Sequence, residues 1–199
     1  KLRQKMFAGM YRRVETPETL PWHRDAPALL RAAAERSDGG RALDIGCGTG
    51  AHAVYLAERG FSVVGVDFVS AALVHARRRA ENSGVALELV ESDVLAYDPD
   101  VSFDLVVDSG CLHHVPASKV NAYRARLDRW LLPGGDYLLV HFSKRHTLDW
   151  RPVGPRRVKK AEIVRLFAPL HLEAYDETYF DLSFPIGRSL AGIYWFRRV

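Results

Sequence analysis

The sequence predicts an α/β protein built on a doubly wound, mostly parallel sheet. Between residues 41 and 142, short apolar segments alternate with helical patterns. Most of these segments are short apolar or β-branched runs, as expected of strands that helices cover on both faces, and one of them, Leu87–Asp93, alternates at period two. Near the C terminus, two extended segments follow one another with only a loop between them, so they can pair antiparallel. We therefore expect seven strands, with an antiparallel hairpin at one edge of the sheet.

The parallel part of the sheet is predicted from five apolar segments. They are Arg41–Cys47, Phe61–Asp67, Leu87–Asp93, Phe103–Asp108 and Tyr137–Phe142. Glycines and polar residues bound each of them, which is typical of buried strands.

Helices are predicted between these strands and before the first one. They cover Ala51–Arg59, a segment from an N-cap at Ser70 to about Asn82, Ser118–Leu132, and a segment beginning near Ala26. The residues Pro133-Gly134-Gly135 are expected to end the helix that begins at Ser118. A further helix, Ala161–Phe167, precedes the two hairpin strands, Leu172–Phe180 and Ala191–Arg198.

Length and composition favour one domain. The chain has 199 residues, of which 48% are hydrophobic and 26% charged, as in ordinary globular proteins. We divide it into an N-terminal helical lid (1–40), a central core (41–142), and a C-terminal part with a loop, a helix and the hairpin (143–199). Two cysteines rule out a disulfide scaffold and favour a reducing, cytoplasmic location. We expect no membrane span and no signal peptide, since no apolar segment is long enough.

The net charge of +4 is unevenly distributed along the chain. Residues 1–40 carry +3, residues 41–140 carry −4, and residues 141–199 carry +5. An acidic centre thus lies between basic ends, so the basic overall charge does not count against a small-molecule enzyme. The segment Ser143–Lys160 has seven Lys and Arg and one Asp. It is either a solvated basic loop or a surface that attracts an anionic substrate.

Acidic and glycine residues follow the predicted parallel strands. Asp44–Gly50 (DIGCGTG) closes the first strand, Asp67 the second, Asp93 the third and Asp108–Gly110 the fourth. In doubly wound sheets, ligands bind at these carboxyl ends. Glycines let the backbone approach a ligand closely, and an acid about 20 residues after such a loop can bind ribose hydroxyls. The pattern indicates a site for an adenosine-type cofactor.

The loop itself narrows the choice of cofactor. It reads G-x-G-x-G rather than the dinucleotide G-x-G-x-x-G, and no lysine follows as in a phosphate-binding loop. The carboxylate of Asp44, inside the preceding strand, suits an ammonium or sulfonium group better than a pyrophosphate. On these residues the chain resembles the class I S-adenosylmethionine-dependent methyltransferases. The motifs that carry the resemblance are LDIGCGTG, VVGVD, ESDV, FDLVVDSGCLHHV and LLPGGDYLLV.

The resemblance implies the strand order 3-2-1-4-5-7-6, with strand 7 antiparallel. It also implies S-adenosylmethionine as cofactor, with S-adenosylhomocysteine as product. The residues expected to bind the cofactor lie at the strand ends or in the N-terminal segment: Trp22, Asp44, Gly46, Cys47, Gly48, Gly50, Asp67, Phe68, Ser92, Asp93, Val94, Asp108, Ser109 and His114.

The resemblance assigns a role to several of these positions. Asp44 and the glycines contact the amino-acid end of the cofactor. Asp67 takes both ribose hydroxyls, and Phe68 packs against the adenine. Asp93 binds the adenine amino group, and Val94 lines that pocket. The residues Asp108 and Ser109 are expected near the methionine portion and the methyl group.

The N-terminal segment resembles that of the thiol and thiopurine methyltransferase group. In that group a Pro-Trp pair lies beside the cofactor and the N-terminal segment covers the site; here the pair is Pro21-Trp22. Because His23 replaces the aspartate that often follows the tryptophan, the match to that group is distant. The alternative is that Tyr11 and Trp22 simply pack on the sheet.

The candidate catalytic residues are His113 and His114, just after the fourth strand. A hydroxyl acceptor needs a general base, whereas an acidic thiol needs little help. Adjacent side chains point in different directions, so at most one of the two is expected to act as the base. The other reading is a packing histidine that holds a backbone carbonyl. We predict no metal site, although Asp108 and the two histidines are close in sequence.

The favoured function is methyl transfer to an S, N or O nucleophile of a small, hydrophobic or aromatic molecule. An RNA or DNA methyltransferase is the first alternative. Against it, Asp108-Ser109-Gly110-Cys111 lacks the Asn/Asp-Pro-Pro-aromatic motif that stacks a flipped base, and no proline precedes Cys111. A second alternative is a cofactor-binding partner protein without catalysis. The sequence does not indicate the oligomeric state.

Overall fold

A computed structural model of the chain describes residues 2–20, 23, 25–37, 39–146, 149, 155–182 and 187–199. The helices in this part are α1 (Leu2–Arg13), α2 (Ala28–Arg36), α3 (Ala51–Ala57), α4 (Ser70–Ser83), α5 (Val120–Trp130) and α6 (Lys160–Phe167). The strands are β1 (Gly40–Ile45), β2 (Phe61–Asp67), β3 (Glu88–Glu91), β4 (Phe103–Ser109), β5 (Leu131–Phe142), β6 (His171–Asp181) and β7 (Arg188–Arg197). Within the described residues, every helix is too short or too polar to cross a membrane.

The strands form one seven-stranded sheet in the order β3-β2-β1-β4-β5-β7-β6. The first five strands pair in parallel, and β7 pairs antiparallel with both β5 and β6. In the centre of the sheet, Leu43 stands opposite Val64 on one side and Val106 on the other. This arrangement confirms the predicted fold and strand order.

Helices and loops bury both faces of the sheet. The two central strand residues Leu105 and Val106 point to opposite faces, because side chains alternate along a strand. Val106 lies in the core that α5 and α6 cover, with Trp130 and Phe167. Leu105 lies in the core that α2 and α3 cover, with Leu30. The two cores hold the strand ends rigidly, which is a requirement for a site built from them.

A third, smaller cluster joins α1 to α4 at the edge of the fold. Tyr11 and Leu20 are buried there against Val69 and Ala72, with Phe7 packed on them. The side-chain amide of Gln4 donates a 2.7 Å hydrogen bond to the Phe68 carbonyl. The N-terminal helix therefore lies over the carboxyl end of β2.

The local elements differ from the sequence predictions in several places. Ser70 is the first residue of α4 rather than its N-cap, which is Val69, and no side chain caps the helix there. The third strand is shorter than predicted. The fifth strand begins at Leu131, because the Gly134 amide donates to the Arg198 carbonyl and the Arg198 amide to Gly135. This pairing with the end of the chain draws the predicted helix terminator into the sheet.

The hairpin strands are longer than predicted. Pairing between β6 and β7 extends to Asp181 opposite Arg188. The connection between the two strands is therefore shorter than the loop 181–190 expected from the sequence.

Candidate active site

The glycine-rich loop turns sharply between β1 and α3. The amides of Gly46 and Cys47 both donate to the Val66 carbonyl, at 2.7 and 3.1 Å, so the loop begins against the end of β2. Gly50 adopts a φ of 76°, and a Cβ built there would lie 2.9 Å from the Cβ of Ala76 in α4. Only glycine can adopt this positive φ and also leave room for Ala76. The loop thus opens α3 directly above the sheet edge.

Asp67 is tied to the same loop. The Gly48 amide donates to Oδ2 of Asp67 at 3.0 Å, and the Val69 amide donates to Oδ1 at 2.9 Å. The side chain is 7% exposed, and burial raises its pKa despite these donors. A carboxylate has about four acceptor positions, so each oxygen can accept a further hydrogen bond. Asp67 is therefore held rigidly while it keeps capacity for a diol.

Asp44 has a buried oxygen without a partner. The residue is 2% exposed, and its Oδ2 has no hydrogen bond. Burial, reinforced by the charges of Asp108 and Asp67, raises its pKa to about 7. Leaving such a group unpaired is costly, and a cation beside it would offset that cost. The site thus fits a ligand that carries an ammonium group.

A cavity of about 70 Å³ lies beside Asp44 and the glycine loop. Its lining comes from the N-terminal segment, the glycine loop, the start of α3 and the end of β4: Tyr11, Leu20, His23, Asp44, Gly46, Cys47, Gly48, Thr49, Ala51, His52 and Ser109. Burial lowers the pKa of His52 to about 4 and raises that of the Cys47 thiol, so both are neutral. The predicted loop residues and Ser109 therefore share one space with Asp44.

Asp108 lies behind this cavity rather than in it. Its Oδ1 accepts hydrogen bonds from the amides of Gly110 and Cys111, and its Oδ2 accepts from the Leu112 amide and the Tyr123 hydroxyl. The residue is fully buried, and burial raises its pKa to about 6. Both carboxylate oxygens are engaged by the protein itself, so Asp108 shapes the turn that presents Ser109 to the cavity.

The residues predicted for the adenine side lie next to Asp67. Strands β2 and β3 end in register, and the Ser92 amide donates to the Asp67 carbonyl at 3.1 Å. Asp93 is exposed, and its Oδ1 accepts from the Leu95 amide. Val94 and Phe68 are half-buried, the latter under α1. Trp22 lies outside the described residues.

The two candidate catalytic histidines differ in environment. His113 is 9% exposed, its Nδ1 has no partner, and burial lowers its pKa well below the usual value. Its Cε1 lies 3.0 Å from the position of a Cβ built on Gly110, next to Ser109. His114 is half-buried, and its ring centroid lies 5.3 Å from that of Phe7 in α1. His113 thus lies on the sheet side and His114 faces the N-terminal helix.

Sequence reasoning missed other polar groups in the same region. His141, near the end of β5, is fully buried with its Nε2 unpartnered. Its ring centroid is 5.7 Å from that of His113. A polar residue inside the apolar run YLLVHF was the available signal. The sequence marks Arg156 only as one charge of the basic segment Ser143–Lys160. Among the described residues, no three or more His, Cys, Asp or Glu side chains are grouped to hold a metal ion.

Comparisons with known proteins identify the family of the chain. Residues 42–135 match the family described as "Methyltransferase domain". The chain is 33% identical over 151 residues to the 2-heptyl-1-hydroxyquinolin-4(1H)-one methyltransferase of Mycobacteroides abscessus, covering 71% of this chain and 65% of that protein. It is 32% identical over 177 residues to the ubiquinone biosynthesis O-methyltransferase of Idiomarina loihiensis, covering 78% of this chain and 72% of that protein.

A solved structure agrees with the fold. The 1,6-didemethyltoxoflavin-N1-methyltransferase of Burkholderia thailandensis, solved with 1,6-didemethyltoxoflavin and S-adenosylhomocysteine bound, aligns with a TM-score of 0.73. The alignment covers 98% of this chain and 87% of that one, at 23% identity. The chain belongs to the class I S-adenosylmethionine-dependent methyltransferases, enzymes whose cofactor is S-adenosylmethionine.

Proposed function

We propose that this enzyme transfers the methyl group of S-adenosylmethionine to an oxygen, nitrogen or sulfur atom of a small, hydrophobic or aromatic molecule. One observation carries the proposal. Asp44, whose Oδ2 is unpartnered, lines the same cavity as the glycine loop, and the Gly48 amide of that loop donates to Asp67. The similarity to enzymes named for a hydroxyquinolone and for ubiquinone biosynthesis supports a small acceptor.

Each end of the site suits one part of the cofactor. Asp44 would pair with its amino group, because no protein donor satisfies Oδ2. The backbone of Gly46 to Gly50 would pack against the amino-acid portion. Asp67, already oriented by two amides, would accept the ribose hydroxyls.

The adenine end is formed by residues of two strand ends and α1. Phe68 and Val94 would contact the ring, with Ser92 beside them, and Asp93 would accept from the amino group. The described part of the lid adds Tyr11, whose hydroxyl lies 3.1 Å from the position of a Cβ on Gly48.

The bound cofactor supplies an electrophilic methyl group on a sulfonium. The protein must align the acceptor with that methyl and exclude water. Ser109 and Asp44 line the same cavity, where the methionine portion of the cofactor would lie. We assign lid function to residues 1–40, because α1 covers the end of β2 through Tyr11 and Gln4. Residues 41–142 form the cofactor-binding core, and residues 143–199 supply the acceptor side.

For a hydroxyl acceptor, we propose that one of His113 and His114 is the base. Burial lowers the pKa of His113 well below its usual value, which makes it the weaker base, whereas His114 is only half-buried. The ring of His114 packs against Phe7, and we propose that His114 also contacts the cofactor. Comparing pH profiles of His113→Gln and His114→Gln on one hydroxyl acceptor tests this assignment. If both variants keep the wild-type rate across pH, neither histidine is the base.

We also propose that the protein is cytoplasmic, because its two cysteines are free thiols.

We further propose that the substrate is not a nucleic acid, because the central segment is acidic. Affinity for mixed RNA at two salt concentrations tests this proposal, since phosphate-driven binding weakens steeply with salt.

The main experiment measures transfer directly. Titration with S-adenosylhomocysteine by calorimetry should show binding at one site. A screen with labelled S-adenosylmethionine against phenols, hydroxyquinolones, heteroaromatic amines and thiols should then show methyl transfer to at least one class. Binding without any transfer would instead favour a partner protein that lost catalysis.

A further inference from the structure

A second polar cluster lies at the carboxyl ends of β4 and β5, beyond the cofactor cavity. It consists of His113, His141 and Arg156, and we call it the basic cluster. The ring of His113 packs on Gly110 and lies 5.7 Å, centroid to centroid, from His141. The Arg156 amide donates to the His113 carbonyl at 3.2 Å, which fixes the arginine segment against the same turn.

The basic cluster carries polar atoms that the protein leaves unsatisfied. Nδ1 of His113, Nε2 of His141, and both Nε and Nη2 of Arg156 are buried without a hydrogen-bond partner. His113 and His141 are themselves more than nine-tenths buried. Buried donors of a guanidinium normally find a carboxylate or another acceptor, because leaving them unpaired is costly. Nδ1 of His141 donates to the Phe142 carbonyl, so Nε2 of the neutral ring is an acceptor rather than a donor. The unpaired donors are therefore the two guanidinium nitrogens of Arg156, and they point to a ligand that supplies acceptors.

The cluster is positive at neutral pH. Burial, together with the charge of Arg156, keeps both imidazoles neutral, whereas the guanidinium stays charged. Arg157 adds a second positive charge near His113. The nearest opposing charge on Arg156 comes from Glu162 of α6, which forms no ion pair with it among the described residues. The cluster therefore favours an anionic oxygen.

We propose that the basic cluster binds the acceptor through an ionised ring oxygen, so that the substrate class is a phenol, enol or N-hydroxy heterocycle bound as its anion. This inference rests on the proposed methyltransferase function and deepens it. Arg156 is the specificity-determining residue, since its unpaired N–H groups select the oxygen and orient the ring. The apolar wall beside the basic cluster, including Phe142 with its centroid 4.7 Å from His113, holds the ring itself.

The transfer step is balanced without a further reagent. An oxygen lone pair of the bound anion forms the new C–O bond with the methyl carbon. The C–S bond breaks, and its electron pair stays on sulfur, so the sulfonium becomes a neutral thioether. The acceptor has already lost its proton to water before binding, and Arg156 stabilises the negative charge until the transfer. For this class of acceptor, a histidine base adds little.

The experiment uses two matched ligand pairs with the full chain saturated with S-adenosylhomocysteine. The pairs are 2-heptyl-1-hydroxyquinolin-4(1H)-one with its analogue lacking the 1-hydroxyl, and 4-nitrophenol with nitrobenzene. Wild type should bind the oxygen-bearing member of each pair at least ~tenfold more tightly. The absorbance of bound 4-nitrophenol should be that of the phenolate.

Three variants test the residues. Arg156→Gln should remove most of the preference within each pair, and Arg156→Lys should restore part of it, because charge returns without the planar fork. Arg129→Gln, which removes an equally charged, 56% exposed side chain in α5, should behave as wild type. Affinity for S-adenosylhomocysteine should be the same in all of them.

Two results would overturn the proposal. One is equal affinity for the members of both pairs, and the other is an Arg156→Gln preference unchanged from wild type. Failure of wild type to bind S-adenosylhomocysteine would instead overturn the proposed function, so the two failures are distinguishable.

Discussion

The amide of Gly48 donates a 3.0 Å hydrogen bond to Oδ2 of Asp67, across 19 residues of sequence. The bond joins the glycine loop after β1 to the end of β2. The two parts of the cofactor site are thus oriented by each other as well as by the sheet. A group bound between them meets a preorganised surface, which reduces the entropy that binding costs.

Replacing Asp67 with alanine should weaken S-adenosylhomocysteine binding by ~30-fold or more. The change removes a charged acceptor and frees the Gly48 amide, and each hydrogen bond to a charged group is worth about 1.5–3 kcal/mol. Calorimetric titration measures the loss. Asp98→Ala, at an exposed position paired with Arg126 and Arg129, is the control and should bind as wild type. Wild-type affinity in Asp67→Ala would contradict the assigned site.

Alanine at Gly50 should destabilise the fold more than alanine at Gly60. Both glycines have positive φ, 76° and 84°, so both substitutions strain the backbone by about 1–2 kcal/mol. Only at Gly50 does the new Cβ also meet Ala76, at 2.9 Å, whereas the space beside Gly60 is open. Urea denaturation should show an additional loss of roughly 1–3 kcal/mol for Gly50→Ala. Equal losses would mean that the contact between the loop and α4 is not tight.

The charge of Asp44 should make the ligand-free protein less stable as pH rises. Burial holds its folded pKa at about 7, above the ordinary 3.8, so the folded state binds the proton more tightly. This stabilising contribution is complete below pH 4 and is lost as pH rises through 7. The decline in the free energy of unfolding from pH 5 to pH 8 should therefore be smaller in Asp44→Asn, by up to ~3 kcal/mol.

The same variant separates stability from binding. At pH 8, Asp44→Asn should raise the free energy of unfolding without ligand and lower the affinity for S-adenosylhomocysteine. Denaturation with and without saturating ligand measures both effects. An identical pH slope in wild type and variant would show that Asp44 is ionised in the folded protein throughout the range.

Truncating Tyr11 should weaken cofactor binding, because its ring holds α1 over the loop at Gly48. Tyr11 is 6% exposed among Val69 and Ala72, whereas Met6 on the same helix is 54% exposed. Tyr11→Ala should raise the dissociation constant of S-adenosylhomocysteine about tenfold, for a lost packing contribution of roughly 1–2 kcal/mol. Met6→Ala should leave it unchanged. Equal behaviour of the two variants would argue that α1 is not a lid.

Removing the Tyr123 hydroxyl should destabilise the protein in a pH-dependent way. Tyr123 donates to buried Asp108, and that bond lowers the pKa of a carboxyl which burial holds at about 6. Tyr123→Phe should cost about 1.5–3 kcal/mol at pH 8, where Asp108 is ionised, and less at pH 5. Tyr137→Phe, whose hydroxyl meets Tyr123 and not Asp108, should show a loss that changes little with pH.

Most of the fold and half of the site follow from local patterns. Buried parallel strands are apolar throughout, and their carboxyl ends must meet at one edge, so Asp44, Asp67 and the glycine loop could be grouped before any coordinates. The start of β5 could not, because Gly134 and Gly135 pair with Arg198 at the far end of the chain. Helix-ending residues look alike whether a loop or a strand follows.

By itself, then, the sequence determined the alternation of strands and helices and the polar residues at the strand ends, because hydrophobic periodicity and glycine placement record these features locally. The resemblance of its motifs to a known family added the strand order and the cofactor class. Only the tertiary structure decided which polar atoms find partners. The carboxylate of Asp108 accepts hydrogen bonds from the amides of its own turn and from Tyr123, whereas Oδ2 of Asp44 has no hydrogen-bond partner. Burial and hydrogen bonding depend on side chains far apart in the chain, so no local pattern records them.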